Sequence, residues 1–196
     1  MAMWIVLGVI VILFAYLIKS YNGLVELRQR IANAFSQIDV QLQRRYDLIP
    51  NLVDTVKGAM AHERETLEAV IAARNQAQAA ARAVVGNPTD GAALQQLAAA
   101  ESQLGGVLGR LVALAEAYPE LKAQQNMALL QEELASTENR VAFARQAFND
   151  AVMVYNTQRE SFPDALVASQ FGFKPSLPWR MDSTDAAKPV RVSFDR

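Results

Sequence analysis

Apolar positions along the chain fall into two regimes. Residues 1–18 (MAMWIVLGVIVILFAYLI) form one uncharged apolar run, closed by Lys19. From Tyr21 to about Ser161 the apolar residues instead recur every three or four positions, with alanine and other strong helix formers between them. No stretch there reads as a strand, so the pattern predicts an all-α chain. At about 1.5 Å per residue the first run reaches roughly 27 Å as a helix, enough to span a hydrocarbon core. Trp4 and Tyr16 stand near its two ends, where aromatic belts lie. A cleaved signal peptide would need a basic segment before the run and a small-x-small site after it. The run starts at residue 1 and Lys19-Ser20-Tyr21-Asn22 follows it, so an uncleaved transmembrane anchor over residues 1–19 is expected.

Three breaks divide the periodic region. Arg44-Arg45-Tyr46-Asp47-Leu48-Ile49-Pro50 offers Asp47 as an N-cap, with Pro50 in the following first turn. Gly86-Asn87-Pro88-Thr89-Asp90-Gly91 consists of turn residues throughout. Tyr118 precedes Pro119, which pushes it out of the helical region. The expectation is four helices, near 21–46, 48–85, 89–117 and 120–161. Short connections make them antiparallel neighbours, an up-down four-helix bundle over residues 20–162. The last helix carries an unbroken heptad seam: Met127, Leu130, Leu134, Thr137, Val141, Ala144, Phe148, Ala151 and Tyr155. Such a seam predicts left-handed, coiled-coil-like packing. Gly23 is the expected hinge between anchor and bundle.

Charged residues fall on three seam positions, Glu63, Arg74 and Glu101. Arg74 and Glu101 lie about equally far from the loop at 86–91, so an antiparallel pair would bring them together. Thr137 and Glu138 fall at a similar height counted from Pro119. A lone buried charge costs several kcal/mol, so Arg74, Glu101, Thr137 and Glu138 are expected to form a buried polar layer. That layer is either a site or an ion pair that fixes register. Arg44, Arg45, Asp47, Asn51 and Asp54 cluster at the first break. They either tie the turn together through side-chain-to-backbone bonds or present a docking surface.

Beyond Phe162-Pro163 the composition changes, and four of the seven prolines lie between 163 and 189. Residues 163–196 read as an irregular tail, with 181–196 largely polar and expected to be disordered or weakly ordered. Phe171, Phe173 and Trp179 are apolar groups without an expected helix to carry them. They either fold back onto the bundle end or dock on a neighbouring subunit or membrane.

Composition removes most chemistry. Nineteen basic and twenty acidic residues balance, so there is no basic footprint for nucleic acid. The absence of cysteine excludes thiolate catalysis and Cys-ligated metals. His62 is the only histidine, and Thr66 stands where a zinc-protease motif would place the second. One histidine also cannot furnish the paired Glu-x-x-His motifs of a di-metal bundle. Gly105-Gly106-Val107-Leu108-Gly109 lacks the Lys-Ser/Thr of a phosphate loop. No catalytic residue, metal or cofactor is expected.

A long set of motifs does carry a family likeness. It includes Tyr21-Asn22-Gly23-Leu24-Val25 and the stretch from Ser36 to Val53, SQIDVQLQRRYDLIPNLV. It continues through Lys57-Gly58, His62-Glu63, Ala73-Arg74, the stretch EAYPELKA from Glu116 to Ala123, and Leu130-Gln131-Glu132-Glu133-Leu134. Thr137-Glu138-Asn139-Arg140 and Tyr155-Asn156 complete it. Together these resemble the LemA family, with Phe35 and Met127 standing where a tryptophan and a phenylalanine are usual. The resemblance implies an N-terminal anchor, an antiparallel helical bundle and no established enzymatic activity. Family genes often lie near those of membrane metalloproteases or TPM-domain proteins, which implies an envelope or membrane-quality role.

The expected function is therefore a non-enzymatic, homo-oligomeric scaffold held in a bacterial inner membrane by lipid contact along residues 1–18. The alternative is a monomeric adaptor that presents residues 44–54 to a membrane protease or TPM-domain partner. Lys19, Arg28 and Arg30 favour a cytoplasmic bundle under the positive-inside rule.

Overall fold

The computed structural model describes residues 1–60, 62–122 and 124–180; the expected polar segment 181–196 lies outside them. The described residues are helical or irregular, with no strand. Six helices follow in order: α1 (Ala2–Lys57), α2 (Arg64–Val85), α3 (Gly91–Ala115), α4 (Pro119–Lys122), α5 (Gln125–Glu160) and α6 (Asp164–Gln170).

Helix α1 overturns two expectations. It runs unbroken for 56 residues, about 84 Å at helical rise, so Gly23 is not a hinge and Asp47 caps nothing. The turn comes instead after α1, at residues 58–60 and 62–63, and α2 starts at Arg64 without a side-chain cap. Pro50 sits inside α1. Proline has no amide to donate to the carbonyl four residues back, which strands the Tyr46 oxygen. Arg74 of α2 fills that place, its Nε donating to Tyr46 O at 3.0 Å. A side chain remote in sequence thus lets the helix pass through a residue that locally signals its end. Arg74→Ala is expected to cost about 1–3 kcal/mol, because the buried carbonyl loses its donor. In a Pro50→Ala background, where a backbone amide returns, the same substitution should cost much less. A urea-denaturation cycle of the four proteins measures this, and equal costs in both backgrounds would refute the explanation.

The other two breaks stand where expected. Asp90 caps α3 by accepting from the amides of Ala92 and Ala93 at 2.9 and 3.3 Å. Pro119 opens the short α4. Each long helix buries its apolar stripe: Leu24, Leu27, Ile31, Phe35, Ile38 and Leu42 on α1, Leu94 to Leu111 on α3, and Val141, Phe148 and Tyr155 on α5. Helix α1 packs along α5 and along α2, and α2 packs on α3. Residue numbers fall on α1 as they rise on α5: Arg44 pairs with Glu133, and the Phe35 and Phe148 rings meet edge to face at 6.1 Å.

The tail is less irregular than its prolines suggest. It contains α6, whose Val167 and Ala168 are buried. Gly172, at φ +70°, ends α6 in the left-handed conformation that glycine adopts without a Cβ clash. The Phe173 amide then bonds back to Ala168 O at 2.9 Å. Residues 173–180 follow as an extended strap with Phe173, Ser176 and Trp179 buried.

The first 18-residue stretch of α1 is long and apolar enough to cross a membrane, and none of it is buried in the protein. Core helices of this hydropathy are buried; this one leaves Trp4, Ile12 and Phe14 open.

Candidate functional site

Two arrangements stand out, a polar layer inside the helical body and the strap across its side. Because α1 continues through residues 44–50, Leu42, Arg45, Tyr46 and Ile49 all fall on its inward stripe. Arg45, read from the sequence as part of an exposed turn, is consequently only 5% exposed. Its Nη1 bonds Glu101 Oε2 of α3 at 2.8 Å, and its Nη2 reaches Glu138 Oε2 of α5 at 2.9 Å. The Tyr46 hydroxyl donates to the other Glu101 oxygen. Glu101 is 3% exposed and Glu138 half open to solvent, so the layer runs from the interior to the surface. Gly105 on α3 faces the guanidinium: a methyl group there would stand in ordinary contact with Arg45 Nη2, at 3.9 Å.

Burial pushes the Glu101 carboxyl above its usual range, against the opposing pull of the Tyr46 hydroxyl and Arg45. Nearby Glu138 pushes the same way as burial. The Tyr46 hydroxyl is held far above its ordinary value, first by desolvation and then by the Glu101 charge. Held so far up, the Tyr46 hydroxyl keeps its proton near neutrality and serves as a donor. The arrangement joins three helices through one guanidinium.

The expected polar layer therefore needs correction. Arg74 does not meet Glu101; it lies against Tyr46 O, with Asp47 4.0 Å from its Nη2. Arg45 takes its place because the missing break keeps α1 helical and turns residue 45 inward. Glu138 joins the layer as expected, whereas buried Thr137 turns its hydroxyl onto Glu133 O of its own helix. Tyr46 was missed, although its helical spacing from Leu42 and Ile49 places it on the core stripe.

The expected docking cluster also disperses. Arg44 pairs with Glu133 at the surface, at 2.6 Å. Asp47, Asn51 and Asp54 are exposed along one outer line of α1, not around a turn. Helix continuity separates them from Arg45.

The strap is held by α5. Asn149 grips Trp179 twice: Nδ2 donates to its carbonyl at 3.1 Å, and Oδ1 accepts its amide at 2.8 Å. Asn156, seven residues on, holds Ser176 in the same way at 2.8 and 3.1 Å. Tyr155 donates to Lys174 O and Arg159 to Phe173 O. On its other side the strap lies on α3, where Leu177, Pro178 and Trp179 share a depression with Leu94 and Ala98. Gly91 gives Leu177 space, since a methyl group there would fall 2.5 Å from Leu177 Cδ1. Of the expected tail contacts, Phe173 and Trp179 thus fold back onto the body, while Phe171 stays exposed with one edge on Tyr21. Asn149 escaped the sequence reading, and Asn156 entered it only within the Tyr155-Asn156 motif, without a role. Their seven-residue spacing beside the α5 seam was the available signal.

Among the described residues, no group of three or more His, Asp or Glu side chains is placed to hold a metal ion. His62 is exposed.

A family model described as the LemA family matches residues 34–194. Magnetosome protein MamQ of Magnetospirillum gryphiswaldense is 27% identical over 176 residues, covering 81% of this chain and 64% of that protein. Magnetosome protein MamQ 2 of Paramagnetospirillum magneticum is 27% identical over 184 residues, covering 84% and 66%. The match spans just under two thirds of the length of each of these relatives.

Proposed function

The chain belongs to the LemA family, and from that premise we propose that it is a non-enzymatic, membrane-anchored helical scaffold that self-associates in the plane of the membrane. The observation that carries this reading is α1 itself: its bare apolar segment passes without interruption into the helical body. In this reading α1, α2, α3 and α5 form an antiparallel up-down four-helix bundle. The opposed numbering of the α1–α5 pairs supports that arrangement. Anchors confine copies to one plane, which raises their effective concentration and lets weak lateral contacts assemble them. Val40, Leu129, Phe143, Met153 and Val154 supply exposed apolar groups on the outer faces of α1 and α5 for such contacts. The likeness to proteins named for the magnetosome supports the membrane association in this reading. In this reading the membrane is a bacterial inner membrane, and Lys19, Arg28 and Arg30 favour the cytoplasmic side for the bundle.

The test is the mass of the full-length protein in mild detergent, by light scattering at several concentrations, followed by electron microscopy. A regular assembly well above the 21.5 kDa chain is expected. A monodisperse monomer would overturn self-association. It would favour an adaptor that offers the exposed Asp47, Asn51 and Asp54 line of α1 to a membrane metalloprotease or TPM-domain protein.

A further inference from the structure

The end of α5 and the start of α6 return to the foot of the apolar segment. The Tyr16 hydroxyl donates to Asp164 Oδ1 at 2.7 Å, across 148 residues of sequence. Tyr16 belongs to the last turn of the apolar run and Lys19 is the first charge after it. Six residues earlier on the other strand of this junction, Gln158 Nε2 lies 3.1 Å from where a methyl group on Gly23 would stand. Phe162 therefore lies between the levels of residues 23 and 16 on α1, within about 10 Å of the end of the apolar run.

At that level the surface is apolar without need. Phe162 is 83% exposed and Leu166 63% exposed, although the intervening chain is anchored on both sides. Val167 and Ala168 are buried and fasten α6 to the body, and Asp164 is bonded to Tyr16. Packing of the protein on itself thus accounts for the position of the turn and leaves its two largest apolar side chains uncovered. An aromatic ring at a bilayer boundary buries its apolar surface there, and a short helix can lie at the same depth.

We propose that the turn from Phe162 to Leu166 rests in the headgroup boundary of the bilayer that the neighbouring apolar segment crosses, as a second and interfacial membrane contact. The proposal rests on the membrane reading given above. Its occupant follows from the junction itself: Asp164 in the turn is bonded to Tyr16 of the apolar segment, so what covers residues 1–18 at that level also meets the turn. The contact fixes how deeply the body sits and holds that side of it toward the bilayer. Of the other exposed apolar groups, Phe171 lies at this level, on Tyr21, whereas Phe143 does not. The Arg45–Glu138 and Phe35–Phe148 pairs place Phe143 near residue 40 of α1, about 30 Å beyond the apolar run.

The chain has no cysteine, so single substitutions accept one environment-sensitive fluorophore each. Phe162→Cys, Leu166→Cys, Phe143→Cys and Leu17→Cys full-length proteins would be labelled and reconstituted into phosphatidylcholine–phosphatidylglycerol vesicles carrying a headgroup-region nitroxide lipid. All four residues are exposed, which keeps the label out of the core. Labels at 162 and 166 are expected to shift to the blue and to be quenched roughly threefold more than the label at 143, as groups at the interface are. Quenching at 17 with 162 and 166 behaving like 143 would overturn the interfacial contact and leave the anchor standing. No quenching at 17 would overturn the membrane reading and this inference together.

Discussion

Glu101→Ala is expected to destabilise the protein by about 3–5 kcal/mol, the range for removing one partner of a buried ion pair. The loss comes less from the vanished attraction than from what stays behind. The Arg45 guanidinium remains inside, its Nε already without a hydrogen-bond partner, and now its Nη1 is unpaired too. The Tyr46 hydroxyl loses its acceptor at the same time. Glu138→Ala provides the contrast, because its carboxylate is half in water and contributes at most about 1 kcal/mol. Urea midpoints of the full-length proteins in mild detergent would measure both. Similar small losses for the two variants would mean that the Arg45 layer is wet. The pH dependence has a definite sign. Glu101 binds its proton more tightly in the folded chain than unfolded, where its value is near 4.5. Stability therefore falls as pH rises from about there through the raised folded value, and is level beyond it. Glu101→Gln removes this component, so wild type loses ground relative to that variant across the same range.

Trp179→Ala is expected to cost about 3–5 kcal/mol, as for other large aromatic side chains removed from a core. Trp179 is 2% exposed, and its indole nitrogen has no hydrogen-bond partner, so packing accounts for the whole effect. Its ring fills the side of the body between α3 and α5, where Asn149 holds its backbone and Leu94 and Ala98 line the opposite wall. Hydrogen exchange would locate the damage. The Ser176 and Trp179 amides, protected by Asn156 and Asn149, should exchange at nearly solvent rates in the variant while amides in the middle of α2 stay slow. A variant with an unchanged midpoint and protected strap amides would show that the strap merely lies on the surface.

The helical class, the apolar segment and the α5 seam were legible in the sequence because each depends on local periodicity. Asp90 and Pro119 were legible for the same reason, since a cap and a proline act on their own turn. The failures share the opposite property. Pro50 reads as a terminator until the donor that replaces its amide is known, and Arg74 lies 28 residues from the Tyr46 oxygen it serves. That one misreading moved Arg45 from the core to the surface, paired Glu101 with the wrong arginine and invented a turn for Asp47, Asn51 and Asp54. The actual turn between α1 and α2 escaped because Gly58 keeps a right-handed helical backbone and the linking sequence holds no proline. In the strap, side-chain amides take the role that backbone partners play in a sheet. Nothing in the spacing of the tail's own residues announces them.

The unbroken α1 also makes the molecule a lever. With no flexible joint between apolar segment and body, the two share one axis, and the bilayer sets the angle of both. Transmembrane helices tilt by about 20° on average and respond to the thickness of the lipid around them. From Ile18 to Lys57 the rod extends about 58 Å, so a change of that size would carry its far end sideways by roughly 20 Å. Thickness at its foot is thereby converted into position at its tip.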